Sequence, residues 1–135
     1  MSDTNTEPVR THIIDLDDVE GFSIADIAGD DEQGRIMIEA FGSALFTKPI
    51  VRTPQLSVFH ESAGPGERVK PHRHGTYQLN YVLKGELIFG NQHVKAGMSY
   101  FTPDELYSWR TGDEGAEWIE IHAGEPGIYF DRPEH

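Results

Sequence analysis

Two histidines stand one residue apart, His72 and His74, and a glutamine follows at Gln78. Alternate residues of a β-strand project to the same side, so an extended segment through 72–74 aims both imidazoles at one spot. Residues 66–85 (GERVKPHRHGTYQLNYVLKG) read as a strand, a turn and a second strand, and the alternating run 77–83 brings Gln78 back towards the histidines. Imidazole nitrogen is the commonest protein ligand for divalent first-row metals, so the spacing predicts metal ligation by His72 and His74. The alternative is a pair of histidines on a polar surface strand. Gln78 has two readings: a third ligand through its amide oxygen, or a hydrogen-bonding residue of the interior. As a neutral ligand it would leave more positive charge on the metal and favour an anionic substrate or a bound hydroxide.

Other residues stand around this centre. In residues 117–122 (EWIEIH), Trp118, Glu120 and His122 share one strand face, while Ile119 and Ile121 share the other. If the polar face lines a cavity, His122 is a ligand or an acid/base catalyst; if the isoleucines point inward, it is neither. His60 carries the same ambiguity. Tyr107 is a candidate general acid or base, since a phenol beside a metal can move a proton. Asn80 has the parity of Gln78, and with Tyr100 and Trp109 it is a candidate for holding a planar or apolar substrate. Ordinary interior packing is the competing reading for each aromatic.

These residues need a scaffold of short strands. The 14 glycines and 8 prolines of the 135-residue chain are scattered between short apolar runs, a pattern of β-structure with frequent turns in one domain. Strands are expected at 12–16, 22–28, 35–41, 55–61, 86–89, 98–102 and 117–122, besides the two of the histidine segment. The alternation of Ile36 and Ile38 with Met37 and Glu39 carries the strand at 35–41. Residues 42–54, with two prolines, read as an irregular edge passage. Residues 1–10 are polar and expected to be a disordered tail, leaving 11–135 as the domain.

Composition excludes several function classes. The formal net charge of −12 repels phosphate backbones and anionic membranes, which argues against nucleic-acid and membrane partners. The absence of cysteine excludes disulfides, thiolate catalysis and Cys-type zinc sites. No apolar run reaches the length of a membrane span and the first residues lack a signal-peptide core, so a cytoplasmic location is expected. No phosphate-binding loop, nucleophile elbow or dinucleotide fingerprint is present.

The spacing Gly66, His72, His74, Gln78, Gly85 resembles the first signature of the cupin superfamily, with Gln78 where the family usually has glutamate. Gly97 and Pro103 match the second signature, in which Glu105, Ser108 and Gly112 replace its glycine, histidine and asparagine. The resemblance implies an all-β, cupin-type antiparallel β-barrel or double-stranded jelly roll with a cavity between its sheets. It also implies a divalent transition metal (Fe, Zn, Ni or Mn), a small-molecule substrate and a homodimer. Ser108, at the family's last histidine, would leave a coordination position open unless His122 or His60 fills it. The implied function is a metal-dependent enzyme on a carbonyl- or oxygen-bearing molecule, a non-haem dioxygenase or a lyase/isomerase. The rival is a non-catalytic module that senses or carries a small ligand.

Overall fold

A computed structural model describes residues 9–42 and 45–134, so nearly all of the expected tail over 1–10 lies outside the described residues. Seven strands, β1 (Phe22–Ser23), β2 (Phe46–Arg52), β3 (Ser57–Ala63), β4 (Gln78–Phe89), β5 (Gln92–Lys95), β6 (Ser99–Thr102) and β7 (Arg110–His122), form one sheet. Its order is β1-β2-β3-β7-β4-β5, with β6 also paired to β4, and every pair is antiparallel. Strand β4 organises the sheet. One edge pairs with β7; along the other, residues 78–81 pair with β6 and residues 86–89 with β5.

A second, shorter antiparallel ladder covers part of this sheet. Val69 N–H donates to the Trp109 carbonyl at 3.0 Å, and His72 and Tyr107 exchange backbone hydrogen bonds at 3.0 and 2.9 Å. Arg73 and Tyr129 do the same at 2.8 and 2.9 Å, which adds the C-terminal segment as a third member. The core lies between the layers. Val82, Leu87 and Trp118 are fully buried, and Trp118 meets Trp109 edge-to-face at 5.0 Å. Burying a Val or Leu side chain of this kind stabilises a fold by about 1.5–3 kcal/mol. The architecture is the expected all-β jelly roll with its sheet left open.

Several elements differ from the sequence expectation. Residues 35–41 are not a strand but the end of helix α2 (Glu32–Phe41). Asp31 caps it by accepting from Gly34 N–H at 2.9 Å, and Gly42 ends it at φ +76°. Met37, Ala40 and Phe41 face the core at helical spacing, while Ile36 and Ile38 are the exposed pair. The alternation that suggested a strand therefore belongs to the solvent face. The expected strand at 22–28 is only β1, because Ser23 forms a reciprocal capping box with Asp26 and opens helix α1 (Ile24–Ile27). Residues 12–16 are not a strand; a 3-10 turn spans Leu16–Asp18.

Residues 46–52 are a regular strand rather than an irregular passage, and a β-bulge between Pro49 and Val51 accommodates the proline. The runs at 77–83 and 86–89 merge into β4, and β7 extends seven residues further back than residue 117. No helix among the described residues is long and apolar enough to cross a membrane.

Gly85 marks where β4 crosses β7 most closely. Its φ is +67°, and a Cβ there would lie 2.0 Å from the Gly115 carbonyl oxygen. Gly90 has nearly the same φ, +66°, with nothing within 4 Å of its would-be Cβ. Gly90→Ala is therefore expected to cost about 1 kcal/mol, the strain of a left-handed residue alone. Gly85→Ala should cost about 3 kcal/mol or more, because two backbones must also separate. Urea denaturation of both variants checks this, and equal costs would show that the crossing has room to spare.

Candidate metal centre

The histidine segment is held from three directions before its rings are considered. Lys70 N–H donates to the Ala40 carbonyl at the end of α2 at 2.8 Å, which fixes the approach to His72. Arg73, between the two histidines, projects to the other side. Its guanidinium donates to both Asp104 oxygens at 3.2 Å, to the Asp131 carboxylate at 3.3 Å and to the Asp131 carbonyl at 2.6 Å, and lies 4.7 Å from the Tyr129 ring centroid. Gly75 N–H also donates to Asp104, at 3.1 Å. With Arg73 pinned outward, His72 and His74 turn inward and meet edge-to-face at 4.9 Å.

His122, at the end of β7, completes a row of rings: its centroid is 4.9 Å from that of His74. The Nδ1 atoms face protein partners. Nδ1 of His72 lies 2.7 Å from the Lys70 carbonyl and Nδ1 of His74 lies 2.7 Å from the Gly127 carbonyl. A carbonyl only accepts, so both Nδ1 atoms carry protons and both Nε2 lone pairs face the interior. Burial holds His72 down to about 4 and lowers His74 as well, so both rings are neutral at physiological pH. Nδ1 of His122 lies 2.8 Å from the Thr76 hydroxyl, and its Nε2–H donates to Glu120 Oε2 at 2.9 Å.

The ligand atoms of His74, Glu120 and His122 all lie within 4.8 Å of one another. Two imidazoles and one carboxylate form a donor set for a divalent transition ion, and the Nδ1 contacts are the outer-shell bonds such ligands require. The residues thus fit a metal, which would take the place of the His122–Glu120 proton. Burial pushes the Glu120 carboxyl up, but the His122 hydrogen bond and the surrounding imidazole fields outweigh it and hold Glu120 below the usual range.

The sequence candidates divide between this cluster and its surroundings. His74 and His122 are in it; His72 adjoins His74, with no partner for its Nε2 among the described residues. Gln78 is buried behind the cluster, where its amide N–H groups donate to Asn80 Oδ1 at 3.0 Å and to the Tyr107 hydroxyl at 2.8 Å. Tyr107 in turn donates to His74 Nε2 at 3.1 Å. Burial, then the Glu120 charge, raises the Tyr107 phenol well above its usual value, so it remains a proton-bearing donor.

Asn80 is fully buried, and its Nδ2 has no partner among the described residues. Tyr100 stacks on Phe89 at 3.7 Å, and Trp109 lines the cavity. Tyr107 and Trp109 both line the cavity, so alternation turns Ser108 away from it. His60 lies on the sheet face opposite Phe59 and Glu61, 3.3 Å from the Glu117 carboxylate.

The cavity has a volume of about 410 Å³. Ile24, Ile27, Met37 and Phe41 from the two helices form an apolar wall, and His72, His74, Tyr107 and Glu120 form the polar one. Glu61 also lines it, with Thr47 Oγ1 donating to Oε2. Burial, reinforced by the Glu120 charge, raises the Glu61 carboxyl well above its usual range. Neither carboxyl was a sequence candidate. The signal was strand parity: Glu120 shares a face with His122, and Glu61 shares one with Phe59.

Zinc(II) affinity measured by chelator competition tests the ligand set. His74→Ala and His122→Ala should each weaken binding by about 100-fold or more, while Ser108→His should leave it within about twofold. Tighter binding in Ser108→His, or full zinc affinity in a His74→Ala/His122→Ala protein of native circular dichroism, would discard this centre.

No protein-family model matches the chain, and no curated protein matches it in sequence. Solved structures do. An RmlC-like cupin from Shewanella frigidimarina superposes with a TM-score of 0.63 at 18% identity, over 85% of this chain and 92% of that one. The polyketide cyclase RemF from Streptomyces resistomycificus gives 0.65 at 14% identity, over 93% and 89%. KdgF from a Halomonas species gives 0.55 at 17%, over 61% and 82%. With an antiparallel sheet, a shorter facing ladder and a cavity between them, the chain folds as a small cupin domain.

Proposed function

We propose that the chain is a metal-dependent enzyme for a small oxygen-bearing organic molecule, with proton-transfer chemistry of the lyase/isomerase type. One observation carries this reading: the His74–Glu120–His122 cluster adjoins a cavity lined by a second buried carboxyl, Glu61. A bound divalent ion, for which Fe, Zn, Ni and Mn are all suited to this donor set, would supply Lewis-acid polarisation of a substrate oxygen. His74, Glu120 and His122 would hold it. Tyr107 keeps its proton and offers a hydrogen bond to an oxygen at that end. Glu61 is placed to exchange a proton between the substrate oxygen and an adjacent carbon, a role suited to a carboxyl whose value burial has raised. The two-imidazole, one-carboxylate donor set favours a second reading, an iron(II) dioxygenase.

Phenacyl alcohol, an aryl hydroxyketone, is a suitable probe. Zinc-loaded protein in deuterium oxide should accelerate exchange at its carbon next to the carbonyl, and Glu61→Gln and His74→Ala should each remove the acceleration. Metal binding without exchange, but with dioxygen uptake by the iron form, would shift the assignment to the dioxygenase. Neither activity would leave the binding module. Glu61 also sets a pH dependence. Its folded value is raised above 4.5, so its contribution to stability is complete below about 4.5 and is lost as pH rises through the folded value. Glu61→Gln should flatten that decline in the metal-free protein.

The partner reading follows from the outer sheet face. Leu79, Tyr81 and Leu83 of β4 alternate outward beside Phe101 of β6 and Ile119 and Ile121 of β7, with Phe101 59% exposed. An apolar face of this extent fits a second copy of the chain, whereas the net charge of −12 disfavours nucleic acid and anionic membranes. Sedimentation should find a dimer that Tyr81→Glu/Phe101→Glu converts to monomer; a wild-type monomer would end this reading.

A further inference from the structure

Arg52 is the one lysine or arginine among the residues lining the cavity. The β-bulge of β2 puts it there. Thr47 pairs with Glu61 and Pro49 with Phe59, all four lining the cavity; the bulge then shifts the register so that Arg52, not Val51, continues their face and pairs with Ser57. A bulge that re-aims one side chain is a recurrent device beside binding sites. Arg52 is exposed at the end of β2 and forms no ion pair among the described residues, in a chain with 23 acidic side chains.

The register gives the cavity two electrostatic ends. Arg52, Ser57 and His122 lie in one row across β2, β3 and β7, so Arg52 stands two strands, about 10 Å, from a metal-cluster residue. Glu61 is four residues along β3 from Ser57, about 13 Å away, at the acidic end. Between Arg52 and His122, the Ser57 hydroxyl is fully buried and has no hydrogen-bond partner among the described residues. The wall between the ends is apolar, formed by Pro49 and Phe59 and faced by Ile128.

We propose that Arg52 is the anion-binding pole of the cavity and that the substrate is an organic acid. Its carboxylate meets Arg52, an apolar planar body lies on Phe59 and Pro49, and an oxygen at its far side reaches the His74–Glu120–His122 cluster. Only that far oxygen rests on the metal reading; the anion-binding pole stands on the bulge, the register and the charge of the lining. As the one lysine or arginine of the lining, Arg52 sets the orientation of the acid as well as its affinity.

Two fluorescent probes of like shape and different charge test this: anilinonaphthalene sulfonate, an anion, and N-phenylnaphthylamine, which is neutral. Wild type should prefer the sulfonate, and Ile128→Trp, which narrows the cavity, should weaken both. Arg52→Gln should weaken the sulfonate by about tenfold or more and leave the amine within about twofold, with Arg52→Lys recovering most of the loss. No preference in the wild type, no change in Arg52→Gln, or an equal loss of both probes would overturn the proposal. If the chain binds no zinc yet keeps an Arg52-dependent preference, the metal centre fails and the anion-binding pole stands.

Discussion

Three imidazoles share a buried site with two carboxyls and a phenol, and in that setting every proton must have a defined place. A buried polar group without a partner costs about 1–3 kcal/mol, more if charged, so such a site is stable only with a consistent set of donors and acceptors. The carbonyls of Lys70 and Gly127 impose that set by taking the Nδ1 protons of His72 and His74. The rest follows in sequence. His74 Nε2 must accept, so Tyr107 donates to it; Tyr107 then accepts from Gln78, and Gln78 donates on to Asn80. A glutamate at residue 78 could not donate in both directions while ionised. The amide is the residue that this chain of hydrogen bonds needs, whatever its further role.

Those two carbonyls are set by distant parts of the chain. Lys70 is tied to the end of α2, and Gly127 belongs to the C-terminal segment that Arg73 holds through Asp131 and Tyr129. The alternation His72-Arg73-His74 thus does two jobs. Its inward residues are the imidazoles, and its outward residue is the clamp that brings the acceptor for one of them into place. Short loops and a surface ion pair would contribute little to stability by themselves. Here Arg73 is largely shielded, engages two aspartates and an aromatic ring, and fixes ring orientation.

Much of this was legible in the sequence. The paired histidines, the strands around residues 57, 88, 100 and 120, and the face shared by Trp118, Glu120 and His122 all follow from period-two alternation. What was not legible has a common cause. Helix α2 presents Ile36 and Ile38 to solvent, so its apolar pattern mimics a strand until the Asp31 and Gly42 caps are weighed. The extent of β7 is hidden by Gly112 and Gly115, which interrupt its alternation but allow the close crossing with β3 and β4. The carboxyls Glu61 and Glu120 stand in strands whose inward face local sequence cannot choose. That choice is made by the sheets packing together, through contacts between residues far apart in the chain.

The same distinction explains Ser108. Counting along the second signature places Ser108 at a ligand position, but what decides inward or outward is pairing, and the pairing is His72 with Tyr107. Partners across an antiparallel pair point to the same face, so Tyr107 takes the inward place and Ser108 is turned out. The cluster then draws its last imidazole from a different strand: His122 is paired with Gln78 in the main sheet and supported by Thr76. The group that could hold a metal is therefore assembled from two elements, the histidine segment and the end of β7. Glu120 lies on the same face two residues before His122, so a single strand supplies both the imidazole and the carboxylate.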